Sequence, residues 1–198
     1  MSAHRQAQFD IHPVFTQRWS PRAFTGETID RDTLMSFFEA GRWAPSAFNA
    51  QPWRFVFGVQ GTDAFGTVLA GLLPMNQVWA QKASALVVVI SSTTFTPPGK
   101  DAPAPLGTHS FDAGAAWASL ALQASLKGWF THAMAGFNAD ALRQSLGVPD
   151  SFKIEAVVAI GKQADKSQLP EAYQARELPS GREPLVRLVA EGKFGFEG

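Results

Sequence analysis

The stretch Ala44-Pro-Ser-Ala-Phe-Asn-Ala-Gln-Pro-Trp-Arg-Phe55 joins a helix-like segment to a strand-like one and holds polar side chains between two prolines. Pro45 and Pro52 each fix their own φ angle and bias the preceding residue toward extended geometry, so the loop loses little entropy when it adopts one shape. Asn49 and Gln51 each carry a donor and an acceptor, which suits the edge of a heterocyclic ring. The same residue types also form ordinary turns. The stretch alone leaves a ligand-binding loop and a plain connection equally open.

The composition is that of a single domain without a strong charge. The 198 residues are 45% hydrophobic, and Lys+Arg equals Asp+Glu at 17 each, so nothing favours binding to nucleic acid or to an anionic membrane. The absence of cysteine excludes disulfides, thiolate catalysis and cysteine-ligated metals. The four histidines lack the spacing of a zinc site, so no metal is expected. Without an apolar leader or a run of membrane-spanning length, the chain is predicted to be cytoplasmic, with residues 1–8 disordered.

Apolar periodicity predicts both helices and buried strands. The predicted helices cover residues 12–18, 31–43, 62–73, 76–82, 110–127, 138–146 and 184–191, and the predicted strands cover 54–59, 84–91 and 153–161. Residues 93–108 contain four prolines and two glycines, which excludes a regular helix or a central strand. A loop of this length in a compact domain is typical of a lid over a functional site.

The predicted helix 110–127 is small and apolar on nearly every face, which is typical of a helix that is buried on all sides. In one domain of this size, the helix either packs against a second subunit or is wholly enclosed by its own chain. The sequence leaves both arrangements open.

A second polar element lies near the N-terminus. If the chain is extended from Arg18 to Arg22, the spacing places Arg18, Ser20 and Arg22 on one side. Two guanidinium groups and a hydroxyl can converge on a phosphate. A solvated pair of arginines is the alternative.

Together these two elements resemble the nitroreductase family, in which Arg-x-Ser-x-Arg is followed by a helix and then by Pro-Ser-x-x-Asn-x-Gln-Pro-Trp. Further similarity lies at Trp129–Phe137 and at Ser180-Gly181-Arg182, and it extends to about residue 189. The resemblance implies an α+β fold, a three-layer α/β/α sandwich with a mostly antiparallel central sheet. It also implies a homodimer that binds FMN at its interface.

The resemblance further implies which residues surround the flavin: Arg18, Trp19, Ser20, Arg22, Pro45, Ser46, Asn49, Gln51, Asn76, Met134, Ala135, Gly136 and Arg182. Within this set, Asn76 either lies close to the flavin or caps a helix, and a backbone N–H of residues 134–136 faces the flavin N5. Relatives usually carry a lysine two residues before the final arginine, where this chain has Ser180. Phe95 and His109 are candidates for substrate contact. His132 is either a proton donor or a structural histidine.

The resemblance implies a function as well. Similarity to this family implies ping-pong hydride transfer. In this reaction NAD(P)H reduces FMN, and a nitroaromatic, a quinone or a related small molecule then accepts the electrons. The cofactor carries this chemistry, so no side chain is assigned as catalytic. The alternatives are a flavin-binding or storage protein of the same fold and a dimeric interaction module with an empty pocket.

Overall fold

The structure is a computed structural model and describes residues 5–196. The α-helices of this part are α1 (Val14–Gln17), α2 (Arg31–Arg42), α3 (Asp63–Ala70), α4 (Pro74–Ala80), α5 (His109–Leu126), α6 (Ala139–Leu146) and α7 (Glu171–Gln174). The strands are β1 (Trp53–Val59), β2 (Ala85–Ser92), β3 (Thr94–Phe95), β4 (Ala104–Pro105), β5 (Phe130–Met134) and β6 (Phe152–Gly161). Short 3₁₀ turns cover Ala47–Asn49, Lys166–Gln168 and Leu185–Arg187.

The main sheet has four strands in the order β1-β2-β6-β5, and every neighbouring pair is antiparallel. The central strand β2 is buried on both faces, as its continuous apolar run predicts. The antiparallel sheet implied by the family resemblance is confirmed. Because neighbouring strands lie about 4.8 Å apart, β1 and β5 form opposite edges separated by about 14 Å.

Helices cover both faces of the sheet. Val87 and Val89 pack with side chains of α2 and α5, whereas Leu86 and Val88 pack with side chains of α3, α4 and α6. This alternation follows from the two-residue period of a strand. The three-layer α/β/α arrangement is therefore confirmed.

Helix α2 has the boundaries and the buried face that its sequence predicts. The Asp30 side chain accepts a hydrogen bond from the Thr33 N–H at 2.8 Å and caps the first turn. Leu34, Phe37, Phe38 and Gly41 are its buried residues. The packed helix therefore fixes the start of the loop 44–52, which leads into β1.

Strand β1 is more exposed than predicted, and helix α5 is partly exposed within one chain. Strand β1 is an edge strand with partly exposed residues, not a buried strand, because among the described residues it pairs only with β2. Helix α5 is not buried on all sides: Phe111 is 80% exposed and Leu126 is 61% exposed. Its own chain therefore does not enclose it.

The C-terminal segment differs from the prediction, and the N-terminal segment is described only in part. The predicted helix 184–191 is wrong, since only Leu185–Arg187 forms a 3₁₀ turn and the apolar side chains of Leu188 and Val189 are exposed. Neither side chain packs in the core, and a short helix without such packing is marginal. Residues 1–4 of the predicted disordered segment lie outside the described residues. Arg5 makes three hydrogen bonds to main-chain carbonyls, so the structure does not show the rest of that segment as disordered.

Two smaller features complete the fold. The loop 93–108 contains the two-stranded β3–β4 ladder, which its proline content did not predict. Within residues 5–196, no helix is both long enough and apolar enough to cross a membrane.

Candidate functional site

Three arginines from distant parts of the sequence meet at one place. Arg18 Nη1 donates to Ser20 Oγ at 3.3 Å, and Arg182 Nη1 donates to Ser180 Oγ at 3.3 Å. Arg5 Nη2 donates to the Arg18 carbonyl at 2.7 Å. Burial, and then the charges of Arg182 and Arg5, lower the pKa of Arg18. The arrangement therefore concentrates positive charge.

The arginine cluster, defined as Arg5, Arg18 and Arg182, lacks a counter-ion among the described residues. Within residues 5–196, no carboxylate oxygen lies within 4.0 Å of any of the three guanidinium groups. A cavity of about 530 Å³ opens beside the cluster, with Arg5, Arg182 and Phe15 in its wall. Mutually repelling cations that lack a partner favour an anion, and a phosphate matches guanidinium geometry.

Arg22, which the sequence assigns to the same group, is engaged differently. Its guanidinium lies 3.6 Å from Oε2 of Glu177, a buried carboxylate. Oε1 of Glu177 accepts the backbone N–H of Arg22 at 2.6 Å and that of Ala23 at 2.9 Å. Glu177 thus fixes the path of the chain after Ser20 and partly balances the charge of Arg22.

The structure brings Asn76 and residues 134–136 together. Asn76 Nδ2 donates to the Gly136 carbonyl at 3.0 Å, and the Leu73 N–H donates to the same carbonyl at 3.0 Å. A Cβ at Gly136 would lie 2.6 Å from Asn76 Nδ2, so the close approach depends on glycine. The cap of α4 is Leu73, and Asn76 lies within the helix. The alternative in which Asn76 caps a helix is therefore wrong.

The aromatic residues next to this region pack against one another and against the main chain. His132 Nδ1 lies 3.0 Å from the Pro21 carbonyl and therefore carries the proton that it donates. Burial lowers the pKa of His132, so its imidazole is neutral at neutral pH. The ring packs 4.7 Å from that of Trp79, and Trp19 is buried with its ring 6.5 Å from that of Phe130. Both histidine and tryptophan hold the 18–22 segment against β5.

The loop between the two prolines is fixed by its own polar groups. Ser46 Oγ accepts the Gln51 N–H at 3.0 Å, and Gln51 Nε2 donates to the Asn49 carbonyl at 3.1 Å. Asp112 of α5 accepts the Ala47 N–H at 3.2 Å. Phe48, Asn49 and Gln51 have positive φ angles of 55°, 53° and 47°. Non-glycine residues persist in this conformation where the surroundings determine it, which is typical of binding sites.

The two candidates for substrate contact lie beside this loop. The Phe95 ring stacks on that of Phe48 at 5.3 Å, and both line a cavity of about 350 Å³. His109 Nδ1 lies 2.8 Å from Ser91 Oγ, which in turn donates to Glu155 Oε1 at 2.6 Å. Because the serine proton goes to Glu155, Nδ1 of His109 must donate to the serine oxygen. His109 therefore ties α5 to the ends of β2 and β6.

The predicted site residues fall into two groups on opposite edges of the sheet. Near β5 lie Arg18, Trp19, Ser20, Arg22, Asn76, Met134, Ala135, Gly136 and Arg182, and near β1 lie Pro45, Ser46, Asn49, Gln51 and Phe95. The two edges are separated by about 14 Å. Within one chain, the two groups therefore lie at opposite edges of the main sheet.

Comparison with known proteins identifies the family. The nitroreductase family model matches residues 15–83. A solved structure described as an oxidoreductase containing FMN is 44% identical, with a TM-score of 0.94, over 100% of this chain and 99% of that chain. The chain belongs to the nitroreductase family. An uncharacterised 15.4 kDa protein of Mycolicibacterium smegmatis is 34% identical over 72% of this chain and 97% of its own length. An NADH dehydrogenase of Thermus thermophilus is 26% identical over 91% and 95% respectively.

Within this nitroreductase-family chain, sequence reasoning missed three residues that shape the site. Arg5 lies in a polar segment without periodicity, and Glu177 is one of three acidic residues in the polar segment 162–181. Asp112 has the position of an ordinary residue in the first turn of a helix. Each acts on a partner at least 13 residues away in sequence, and no local pattern reveals such a contact.

Proposed function

We propose that this chain is an FMN-dependent oxidoreductase that uses NAD(P)H to reduce small acceptors such as nitroaromatics and quinones. The observation that carries the proposal is the convergence of Arg18 and Arg182 without a counter-ion among the described residues. The 44% identical relative that is described as containing FMN supports it. The Thermus relative, an NADH dehydrogenase by name, supports a nicotinamide donor.

The residues near β5 fit the phosphate end of FMN. A phosphate monoester carries close to two negative charges at neutral pH and offers three acceptor oxygens. Arg18 and Arg182 supply two guanidinium groups, and Ser20 places a hydroxyl beside the first of them. We assign these three side chains to the phosphate. Glu177 partly balances the charge of Arg22, so Arg22 is assigned to a polar group of the ribityl chain or the ring.

The ring end is assigned to backbone and amide groups. Bound FMN supplies hydride acceptance and donation, which no side chain of the protein can perform. The main chain of residues 134–136 presents peptide groups to the ring, and Asn76 holds the Gly136 peptide in place. The rigid loop near β1, with Ser46, Asn49 and Gln51, orients the opposite side of the ligand.

We propose that the complete site forms between two copies of the chain. The separation of the two groups supports this, because a second copy can place its β1 loop against the β5 edge of the first. Exposed apolar residues also support it, with Phe111 and Leu126 on α5 and with Val186 and Phe194 in the C-terminal segment. Surfaces of this kind mark interfaces.

The dimer is tested by light scattering of the purified protein. We expect twice the mass of the chain for the wild type and the mass of one chain for Phe111→Glu, because a carboxylate would be buried in the interface. Gln144→Glu adds the same charge at an exposed position of α6 and should remain dimeric. A monomeric wild type, or a Phe111→Glu variant as dimeric as the control, would contradict this arrangement.

The oxidoreductase is tested by the visible absorbance spectrum of the purified protein, followed anaerobically through addition of NADH and then NADPH. We expect a flavin spectrum that one of the two donors bleaches. A spectrum that persists with both donors would favour the flavin-binding or storage protein. A colourless protein after incubation with FMN would overturn the cofactor and favour the interaction module.

A further inference from the structure

Arg5 connects the separate segments of the arginine cluster. Its Nε donates to the Thr16 carbonyl at 2.8 Å, its Nη2 to the Arg18 carbonyl at 2.7 Å and its Nη1 to the Ser180 carbonyl at 2.8 Å. The N-terminal segment is thereby attached both to the residues just before Ser20 and to those just before Arg182. These are the two places from which the other arginines extend.

The three hydrogen bonds to carbonyls do not use all the donors of the Arg5 guanidinium. A guanidinium carries five N–H donors, and three are used, so one N–H on each terminal nitrogen is left for another acceptor. Arg5 and Arg182 both donate to Ser180 and line the same cavity, so the two cations lie near each other. Burial, and then the charge of Arg182, lower the pKa of Arg5. No carboxylate within the described part of the chain lies within 4.0 Å of Arg5.

A role in which Arg5 only connects the two segments does not explain why this residue is a cation next to two other cations. An arginine held only for its hydrogen bonds would gain from a nearby carboxylate, whereas Arg5 adds a third like charge to two others. The repulsion is compensated when an anion binds among the three. The cavity of about 530 Å³ that Arg5 and Arg182 line gives access to them.

We propose that Arg5 is a third cationic residue of the phosphate site, which binds the FMN phosphate electrostatically and positions Arg18 and Arg182 around it. The inference rests on the proposed function. It adds a residue from the N-terminal segment to a site otherwise built from the 18–22 and 180–182 segments.

The test compares two ligands that differ only in the phosphate. Apoprotein is titrated with FMN and with riboflavin, for the wild type, Arg5→Gln, Arg5→Lys and the control Arg31→Gln, which removes one exposed charge from α2. We expect Arg5→Gln to weaken FMN binding by about tenfold and to change riboflavin binding by less than about twofold. Arg5→Lys keeps the charge and should lose less than Arg5→Gln, and Arg31→Gln should change neither affinity.

Three outcomes would overturn the role of Arg5 while FMN binding stands. FMN affinity could be the same in Arg5→Gln as in the wild type, both flavins could weaken by the same factor, or Arg5→Lys could lose as much FMN affinity as Arg5→Gln. The second outcome would make Arg5 a structural tether only. If Arg5→Gln does not fold, Arg5→Met replaces it in the same comparison, because it also removes the charge and should lower the FMN-to-riboflavin affinity ratio by about tenfold, whereas an unchanged ratio would overturn the role of Arg5. A wild type that binds neither flavin would refute the proposed function itself, and the inference would fall with it.

Discussion

Replacement of Gly58 by alanine is expected to lower the free energy of unfolding by about 3 kcal/mol, since inserting atoms into a packed interior typically costs this much. A Cβ at this position of β1 would lie 2.2 Å from the backbone nitrogen of Phe65 and 2.4 Å from the carbonyl carbon of Ala64. Both atoms belong to the main chain of α3, so no side-chain rotation can relieve the overlap. The whole helix must move away from the sheet, and the packing of Phe65 and Val68 in the core must change with it.

Gly66, only eight residues further along the chain, provides the matched control. A Cβ there would meet nothing within 4 Å, and Gly66 lies inside α3. Because alanine favours helix over glycine, Gly66→Ala should raise the free energy of unfolding by about 0.5–1 kcal/mol. Urea denaturation of the three proteins at one protein concentration measures both effects. Equal stability of the two variants would show that α3 does not lie against β1 as described.

Replacement of Glu177 by alanine is expected to cost about 2–5 kcal/mol of folding free energy. The carboxylate is buried, accepts the backbone N–H groups of Arg22 and Ala23, and lies 3.6 Å from the Arg22 guanidinium. Alanine would leave both N–H groups without this acceptor and Arg22 without its counter-ion. The loss is expected to exceed that of an ordinary surface ion pair, because the remaining partners are partly desolvated.

Two further variants separate the contributions in the same denaturation experiment. Glu177→Gln keeps an oxygen for the two N–H groups and removes the charge, so it should fall between the wild type and Glu177→Ala. Glu191→Ala removes an exposed carboxylate from the C-terminal segment and should stay within about 0.5 kcal/mol of the wild type. If Glu177→Ala were as stable as Glu191→Ala, the 18–22 segment would not depend on Glu177.

Local patterns predicted the parts of the fold that depend on local physics. The Asp30 cap and the apolar spacing of α2 gave its boundaries within one residue, and the continuous apolar run of β2 predicted a strand covered on both faces. The Asn138 cap and Gly147 likewise bounded α6, where Gly147 adopts a positive φ of 64°. In each case a few neighbouring residues determine the structure, so the sequence is sufficient to predict the element.

The wrong predictions concern elements whose structure depends on contacts between distant segments. An apolar run such as 54–59 has the same pattern whether it lies in the middle of a sheet or at its edge, and strand order alone decides which. The segment 184–191 has helical spacing, yet Leu188 and Val189 remain exposed outside the core, and a short helix without core packing is marginal.

The candidate site shows the same division. The spacing placed Arg18 and Ser20 on one side of the chain, and Arg18 does donate to Ser20. The resemblance assigned Asn76 and residues 134–136 separately to the flavin, and only the structure shows that Asn76 bonds to Gly136. The resemblance left one position unassigned, where Ser180 stands in place of an expected lysine. The side chain nearest to filling that place is Arg5, 175 residues away in sequence, whose guanidinium donates to the Ser180 carbonyl. Its involvement could be found only in three dimensions.

The open edge of β1 affects how readily newly synthesised chains aggregate. A newly synthesised chain displays unpaired backbone groups along this strand, beside a groove lined by Phe38, Phe55 and Phe57, until another surface covers them. Chains produced faster than they mature would therefore be prone to aggregate edge to edge, and chaperone demand would rise with the rate of expression. The charged side chain of Arg54, exposed on this strand, opposes such stacking.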